Sequence, residues 1–129
     1  MNFKNSAVKG KFTPTNTSKF LGKKDPIYRS LWERRFMLYC DRSTAIQFWD
    51  SESFYIPYMH PKENRMRNYY PDFYVDYIDK YGNPRKKLIE IKPRFQMKWL
   101  VNKAKWAAAR EYCDANGMEF QVLTERELF

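Results

Sequence analysis

Residues 69–92 predict an antiparallel β-hairpin, and this hairpin constrains the fold more than any other feature of the sequence. Two stretches rich in β-forming residues, 69–78 and 86–92, flank a turn at 80–84 that contains glycine and proline. Reflection of the chain about Tyr81, inside the turn, gives the register of the two strands. This register places Asp72 opposite Glu90, Tyr74 opposite Leu88, and Asp76 opposite Lys86. A turn centred one residue later would make the pairing diagonal and would still keep the two acids near each other.

The hairpin brings two carboxylates and a lysine together. Directly opposed residues have Cβ atoms about 5 Å apart, so Asp72 and Glu90 repel unless one is protonated or a cation lies between them. Lys92 is two residues beyond Glu90 and therefore on the same face, whereas Ile91 points into the core and presents its backbone carbonyl. The alternative is that Asp72 begins a strand and that Glu90 and Lys92 form a solvated face. The acid inside an apolar strand that ends at Pro93 favours a functional site.

This set of ligands suits the hydrolysis of a phosphodiester bond. Two acids and a backbone carbonyl are the oxygen ligands that Mg²⁺ prefers, with Mn²⁺ as a substitute. Such an ion polarises the phosphate and lowers the pKa of a water molecule, and the Lys92 ammonium orients that water or stabilises the developing charge. The sequence therefore predicts a metal site made of Asp72, Glu90 and the carbonyl of Ile91.

The rest of the chain predicts a mixed α/β domain of order α-β-β-β-β-α-β. Asp25-Pro26 opens the first helix, which ends near Asp41, because aspartate is a good N-cap and proline fits the first helical position. The second helix covers 97–115, and Trp99 and Trp106 are expected to pack in its core. Its predicted buried stripe is Met97, Val101, Ala104, Ala108 and Tyr112. The predicted strands are 45–49, 54–58, 69–78, 86–92 and 120–123.

The charge of the chain favours a polyanionic partner. The formal net charge is +9, which is typical of proteins that bind nucleic acid, with a merely soluble basic protein as the alternative. Residues 1–24 contain few large apolar groups and predict an extended basic arm, which is either a DNA contact or a solvated tail. The lysines before position 24 are Lys4, Lys9, Lys11, Lys19 and Lys23. Arg94, Lys98 and Lys105 follow the acidic strand closely, so contact with the DNA backbone is favoured for them over a solvated face.

The cysteines and the histidine exclude a zinc site of the Cys/His type. His60 is the only histidine, and Cys40 and Cys113 are the only cysteines and do not form a Cys-x-x-Cys pair. Two isolated cysteines are expected to be reduced and partly buried. No signal peptide or membrane-spanning segment is expected.

The motifs resemble those of a known group of nucleases. Pro71-Asp72 followed by Glu90-Ile91-Lys92 is similar to the signature of the PD-(D/E)XK nuclease superfamily. Residues 28–33, Trp49, Ile56-Pro57-Tyr58 and Tyr70-Pro71-Asp72 resemble the TnsA-like endonuclease branch and, within it, the head completion nucleases of tailed bacteriophages. The resemblance extends from about Gly10 to the C-terminus.

The resemblance implies a single restriction-endonuclease-like domain at 25–129, with a central mixed sheet flanked by helices. It implies that Glu33 helps to hold a metal ion directly or through water, that Asp72 and Glu90 are ligands, and that Lys92 is the catalytic lysine. In this branch the second helix often supplies a basic or amide group to the site. Lys98, Asn102 and Lys105 share a helical face and are the candidates, and the sequence does not choose among them.

The function implied is a divalent-metal-dependent DNA endonuclease that processes packaged double-stranded DNA ends during phage head completion. Such a protein acts in the host cytoplasm or in the virion, with portal or neck proteins as its expected partners. The alternative is a non-catalytic DNA-binding or capsid-sealing protein that retains the nuclease fold. An RNA-binding protein ranks below both, because no RNA-stacking motif is present. The intact set of two acids and a lysine favours the enzyme, since packing alone does not require those charges together.

Overall fold

The computed structural model of the chain describes residues 7–129, and these form eight strands and three helices. In chain order they are β1 (Gly10–Lys11), β2 (Ile27–Tyr28), α1 (Leu31–Arg42), β3 (Ile46–Ser51), β4 (Ile56–Met59), β5 (Met66–Tyr69), β6 (Phe73–Ile78), β7 (Pro84–Ile91), α2 (Leu100–Ala115), β8 (Glu119–Leu123) and α3 (Glu125–Leu128). None of these helices has the length and apolar character needed to cross a bilayer.

The centre of the fold is a four-stranded mixed sheet with the strand order β3-β6-β7-β8. Strand β6 is antiparallel to both β3 and β7, whereas β8 is parallel to β7 and follows it through the crossover helix α2. The predicted fold class, a central mixed sheet flanked by helices, is confirmed. The predicted hairpin register is confirmed as well, since Tyr74 pairs with Leu88 and Asp76 with Lys86.

Strand β7 separates two hydrophobic layers. Ile89 and Ile91 are buried in the layer beneath α1, together with Trp32 and Phe36 of that helix. Leu88 is buried in the opposite layer, which α2 and the hairpin of β4 and β5 cover. Because side chains alternate along a strand, an acid two residues after Leu88 lies on the α2 side of the sheet.

Helix α1 begins at Leu31, so the predicted start at Asp25-Pro26 is wrong. The Oγ of Ser30 accepts a hydrogen bond from the backbone N–H of Glu33 at 3.2 Å and caps the helix. Residues Ile27–Tyr28, which the sequence analysis assigns to the helix, pair instead with Gly10–Lys11. The Ser-x-x-Glu spacing is the signature of a helix start and is a stronger signal here than the Asp-Pro pair.

The segment predicted as an extended arm is packed on the domain from residue 10 onward. Phe12 is buried in the layer beneath α1, and the backbone amides of residues 15 and 16 donate to the carboxylate of Asp41 at 3.2 and 2.9 Å. Lys19 Nζ donates to the carbonyl of Ser43 at 2.6 Å, just past the end of α1. Residues 10–24 therefore belong to the domain, because α1 offers them specific polar partners. The predicted arm residues 1–6 lie outside the described residues.

The strand predicted at 69–78 is two strands, β5 and β6. The break falls at Pro71, which has no N–H to donate to a strand ladder. Strand β5 leaves the central sheet and pairs with β4 in a separate two-stranded sheet. This break leaves Asp72 outside the ladder and places it directly before β6.

Helix α2 begins at Leu100, three residues later than predicted, after a 3₁₀ turn at Arg94–Gln96. Its buried positions are Asn102, Trp106, Ala109 and Cys113, one or two residues beyond those of the predicted stripe, whose residues pack partly buried against the same layer. Trp106 is in the core as expected, whereas Trp99 is exposed and the prediction that it packs in the core is wrong. The side-chain amide of the buried Asn102 donates to the carbonyl of Gln96 at 2.9 Å.

Candidate active site

A cavity of about 610 Å³ opens where β6 and α1 begin and β7 ends. Its lining includes the four residues predicted to be catalytic and the residue predicted to supply a carbonyl, namely Glu33, Asp72, Glu90, Ile91 and Lys92. The pair Phe73–Ile89 is the last of the β6–β7 ladder. Asp72, directly before Phe73, and Glu90, directly after Ile89, therefore lie side by side at this end of the hairpin. The structure thus brings into one cavity residues that lie up to 59 positions apart in the sequence.

Asp72 is held by the strand that faces it. Its Oδ2 accepts a hydrogen bond from the backbone N–H of Ile91 at 2.7 Å. Burial raises the pKa of Asp72 well above its usual range, and the carboxylates of Glu90 and Glu33 raise it further. The Ile91 N–H and the Lys92 ammonium oppose this effect without cancelling it. A carboxyl group in this position gains strongly from a bound cation.

Glu90 is buried, with 6% of its surface exposed, inside the otherwise apolar end of β7. The hydroxyl of Tyr69 donates to its Oε1 at 2.7 Å, and Lys92 Nζ lies 3.2 Å from its Oε2. Both oxygens therefore have a partner, which a buried carboxylate requires. Burial and the negative charge of Glu90 raise the pKa of Tyr69, so this hydroxyl remains a donor.

Tyr69 is a positioning residue that the sequence does not indicate, since the pattern only places it at the start of the predicted strand 69–78. Tyr69 lies at the end of β5, directly before the break that places Asp72. No local motif indicates this role, because β5 belongs to the two-stranded β4–β5 sheet whereas β7 belongs to the central sheet. The buried hydrogen bond to Glu90 becomes visible only in the fold.

Glu33 lies in the first turn of α1 and faces the same cavity. Its carboxylate is engaged with the helix start, with Oε2 3.2 Å from the Oγ of Ser30. Burial is the main cause that raises the pKa of Glu33, while the backbone N–H of Arg29 and the Ser30 hydroxyl oppose it. Glu33 is thus close enough to raise the pKa of Asp72, and it lines the same cavity as Asp72 and Glu90.

The donors of the cavity fit a hard divalent ion. They are carboxylate oxygens and a carbonyl, with no histidine or thiol among the cavity residues. The carbonyl of Ile91 points to the same strand edge as its N–H, which faces Asp72. Within residues 7–129, no three acidic, histidine or cysteine side chains lie close enough to hold an ion by themselves. A metal at Asp72 and Glu90 would therefore take its remaining ligands from the backbone and from water.

The structure distinguishes the three candidates of the second helix. Asn102 is buried and its amide is committed to Gln96, and Lys98 is exposed in the turn before α2 begins. Lys105 is half-buried, and its Nζ lies 5.7 Å from the centre of the Tyr69 ring. Burial lowers the pKa of Lys105, while the charges of Glu90 and Asp72 raise it. Of the three candidates, Lys105 is therefore the one whose pKa is raised by the charges of Glu90 and Asp72.

Arg94, predicted to contact DNA, lies just outside the cavity. It opens the 3₁₀ turn that follows Pro93, and its side chain is exposed. Its backbone N–H donates to the Glu125 carboxylate at 2.9 Å, which fixes the turn against α3. Arg94 and Lys98 are thus exposed cations that lie close in the chain to Phe95 and Gln96, which line the cavity.

Comparison with known proteins yields two matches. The family model of the N-terminal domain of TnsA-like endonucleases matches residues 43–125. The chain is 32% identical to the head completion nuclease of Enterobacteria phage T4 over an alignment of 142 positions, which covers 92% of each protein. The family match includes Asp72, Glu90 and Lys92, whereas Glu33 precedes it.

Proposed function

The chain belongs to the family of TnsA-like endonuclease N-terminal domains, and we propose that it is a divalent-metal-dependent DNA endonuclease. One observation carries the proposal, namely that Asp72, Glu90 and Lys92 share one cavity at the end of a hairpin. Glu90 is buried and paired with Lys92, and it lies beside Asp72, whose pKa is raised. Such an arrangement destabilises the fold, and perturbed groups of this kind are concentrated at functional sites.

Each residue of the cavity has a defined part in this reaction. Asp72, Glu90 and the Ile91 carbonyl would hold Mg²⁺, or Mn²⁺ in its place, and Glu33 would assist through water. The ion supplies positive charge that polarises the scissile phosphate and acidifies the attacking water. Lys92 stabilises the charge that develops on the phosphate oxygens. Tyr69 keeps Glu90 in place, and Lys105 adds positive charge behind it.

The proposal is tested by titrating Mg²⁺ and Mn²⁺ against the purified chain with linear and with circular duplex DNA. Conversion of circular DNA to nicked or linear forms is expected, because an endonuclease needs no end. If no divalent ion elicits cleavage of either DNA, the enzyme assignment is overturned and a non-catalytic DNA-binding or capsid-sealing protein takes its place.

DNA binding is expected to depend on phosphate contacts made beside the cavity. Replacing both Arg94 and Lys98 by glutamine should reduce the slope of log affinity against log salt by about 1.8, because each neutralised phosphate contributes about 0.9. Fluorescence anisotropy across a salt series, in EDTA, measures this slope. A matched pair, Lys80→Gln with Lys86→Gln, lies at the far end of the β6–β7 hairpin and should leave the slope unchanged. Equal slopes for the two double variants would contradict these contacts.

We further propose that the chain acts in phage head completion, in the host cytoplasm or in the virion, with portal or neck proteins as partners. The support is its similarity along nearly its whole length to a protein named for that step. In a phage that encodes this chain, a Lys92→Met substitution should give filled heads that do not join tails productively. Electron microscopy and plaque counts measure this defect. Normal yields from a null mutant would remove the role in assembly and would leave the nuclease proposal intact.

A further inference from the structure

We propose that an exposed aromatic pair, Phe95 and Trp99, binds unpaired bases of the DNA substrate at the edge of the cavity. The preferred substrate would then be DNA with an overhang, a gap or a junction rather than continuous duplex. This inference rests on the proposed nuclease function and adds the structure of the substrate to it.

The aromatic pair is unusually exposed for residues of its type. Phe95 is 72% exposed, Trp99 50%, and the neighbouring Leu100 63%. The two rings contact each other edge to face, with centroids 6.1 Å apart and planes at 76°. Contiguous large apolar side chains on the surface of a soluble domain mark a binding site.

The backbone beneath the pair is firmly held. The carbonyl of Gln96, between the two aromatics, accepts from the buried side-chain amide of Asn102. The N–H of Trp99 donates to the same carbonyl at 3.2 Å, and the N–H of Arg94 donates to Glu125. Because the buried Asn102 amide holds this surface turn, the two rings have a fixed position. A fixed position keeps the entropic cost of binding low.

The position of the pair indicates nucleic acid as its ligand. Phe95 and Gln96 line the cavity that also contains Asp72, Glu90 and Lys92. Arg94 and Lys98, which are exposed, stand beside the rings in the chain. A strand whose phosphate lies in the cavity would therefore carry a neighbouring base to the rings, with cations along its backbone. Alternating aromatic and basic residues are typical of surfaces that bind single strands.

The geometry favours unpaired bases over a continuous duplex. Within a duplex, both faces of each base are covered by its neighbours in the stack. A base that has left the stack offers a free face to an aromatic ring, whatever its identity. The pair would thus recognise the structure of the DNA without reading its sequence.

The test compares the binding of two oligonucleotide duplexes by the full chain in EDTA, measured by fluorescence anisotropy. One duplex is blunt, and the other carries a short single-stranded dT extension. Wild type should bind the extended duplex more tightly. The double substitution Phe95→Ala with Trp99→Ala should lower affinity for the extended duplex by about 5- to 150-fold, the effect of losing one base–aromatic stack. Affinity for the blunt duplex should stay the same, and Trp99→Phe should retain most of the preference.

Tyr81→Ala is the matched control, since Tyr81 is 76% exposed in the turn between β6 and β7. This variant should keep the full preference for the extended duplex. Equal binding of both duplexes by wild type overturns the inference, and so does a double variant that loses affinity for both equally. Because binding is measured without metal, a chain that shows the preference and cleaves nothing would overturn only the nuclease proposal. A chain that cleaves circular DNA and shows no preference would overturn only this inference.

Discussion

Replacing Lys92 by methionine is expected to lower the single-turnover rate of DNA cleavage by about 10²- to 10³-fold. Removing one fixed donor that stabilises developing charge costs about 3 to 4 kcal/mol of transition-state stabilisation. Lys92 is partly buried, and its ammonium lies 3.2 Å from Glu90 Oε2, so water replaces it poorly. The rate should be measured at saturating Mg²⁺, which separates chemistry from ion binding.

The same substitution should leave DNA binding almost unchanged. Lys92 is one of 24 lysines and arginines, so its share of the phosphate contacts is small. Glu90 keeps the hydrogen bond from Tyr69, and Asp72 keeps the Ile91 N–H, so both carboxylates remain available to metal. Lys86→Met, on the exposed part of the same strand, is the control and should cleave like wild type. Wild-type cleavage by Lys92→Met would show that the assignment of the site is wrong.

The hairpin could be predicted from sequence because its register is set locally. The carboxylate of Asp79 accepts from the backbone amides of Tyr81 and Asn83 at 2.9 Å each. Gly82 adopts a φ of 83°, a conformation that glycine enters without strain. These residues are neighbours in the chain, so the turn chemistry in the sequence is enough to place Asp72 beside Glu90.

The start of α1 was mispredicted although a local signal was present. Ser30 and Glu33 have the spacing of a helix cap, and Ser30 does cap the helix. Asp25-Pro26 offered a competing start, and only the pairing of Ile27–Tyr28 with β1 excludes it. That pairing joins residues 16 and 18 positions apart, and the helical pattern of apolar residues does not indicate it.

Other features of the site depend on contacts that no local pattern encodes. Phe12 is buried beneath α1, where its ring packs edge to face with that of Trp49. Tyr69 reaches Glu90 from a second, separate sheet. The exposure of Trp99 follows from the position at which α2 begins, which the buried Asn102 fixes through Gln96. Phe12 and Tyr69 thus depend on partners that are distant in sequence, and the surroundings of Trp99 depend on a side-chain contact that composition and periodicity do not indicate.

Replacing Asp72 by asparagine is expected to abolish cleavage and metal binding while stabilising the metal-free fold. Asparagine retains an oxygen that can accept the Ile91 N–H, and it removes the charge that repels Glu90 and Glu33. The melting temperature in EDTA at pH 8 should therefore be higher for Asp72→Asn than for wild type. Added Mg²⁺ should raise the melting temperature of wild type, because a ligand that binds only the folded state stabilises it, and should leave that of the variant unchanged.

The stabilisation expected from Asp72→Asn depends on pH in a definite direction. Because burial and the neighbouring acids raise the pKa of Asp72 in the folded protein, its protonated form is favoured by folding. The stability that this group contributes is fully present below its unfolded pKa of about 3.9 and is lost as pH rises through the folded value. The advantage of Asp72→Asn over metal-free wild type should thus be largest at pH 8 and should shrink as the solution is acidified.

A matched control separates this effect from a general change in charge. Glu111→Gln removes one negative charge from an exposed position on α2, so it should leave both cleavage and the response of the melting temperature to Mg²⁺ as in wild type. If Asp72→Asn melts below wild type in EDTA at pH 8, repulsion between the carboxylates does not destabilise the metal-free protein. If Asp72→Asn still gains stability from Mg²⁺, the ion binds elsewhere, and the central place of Asp72 in the metal site is lost.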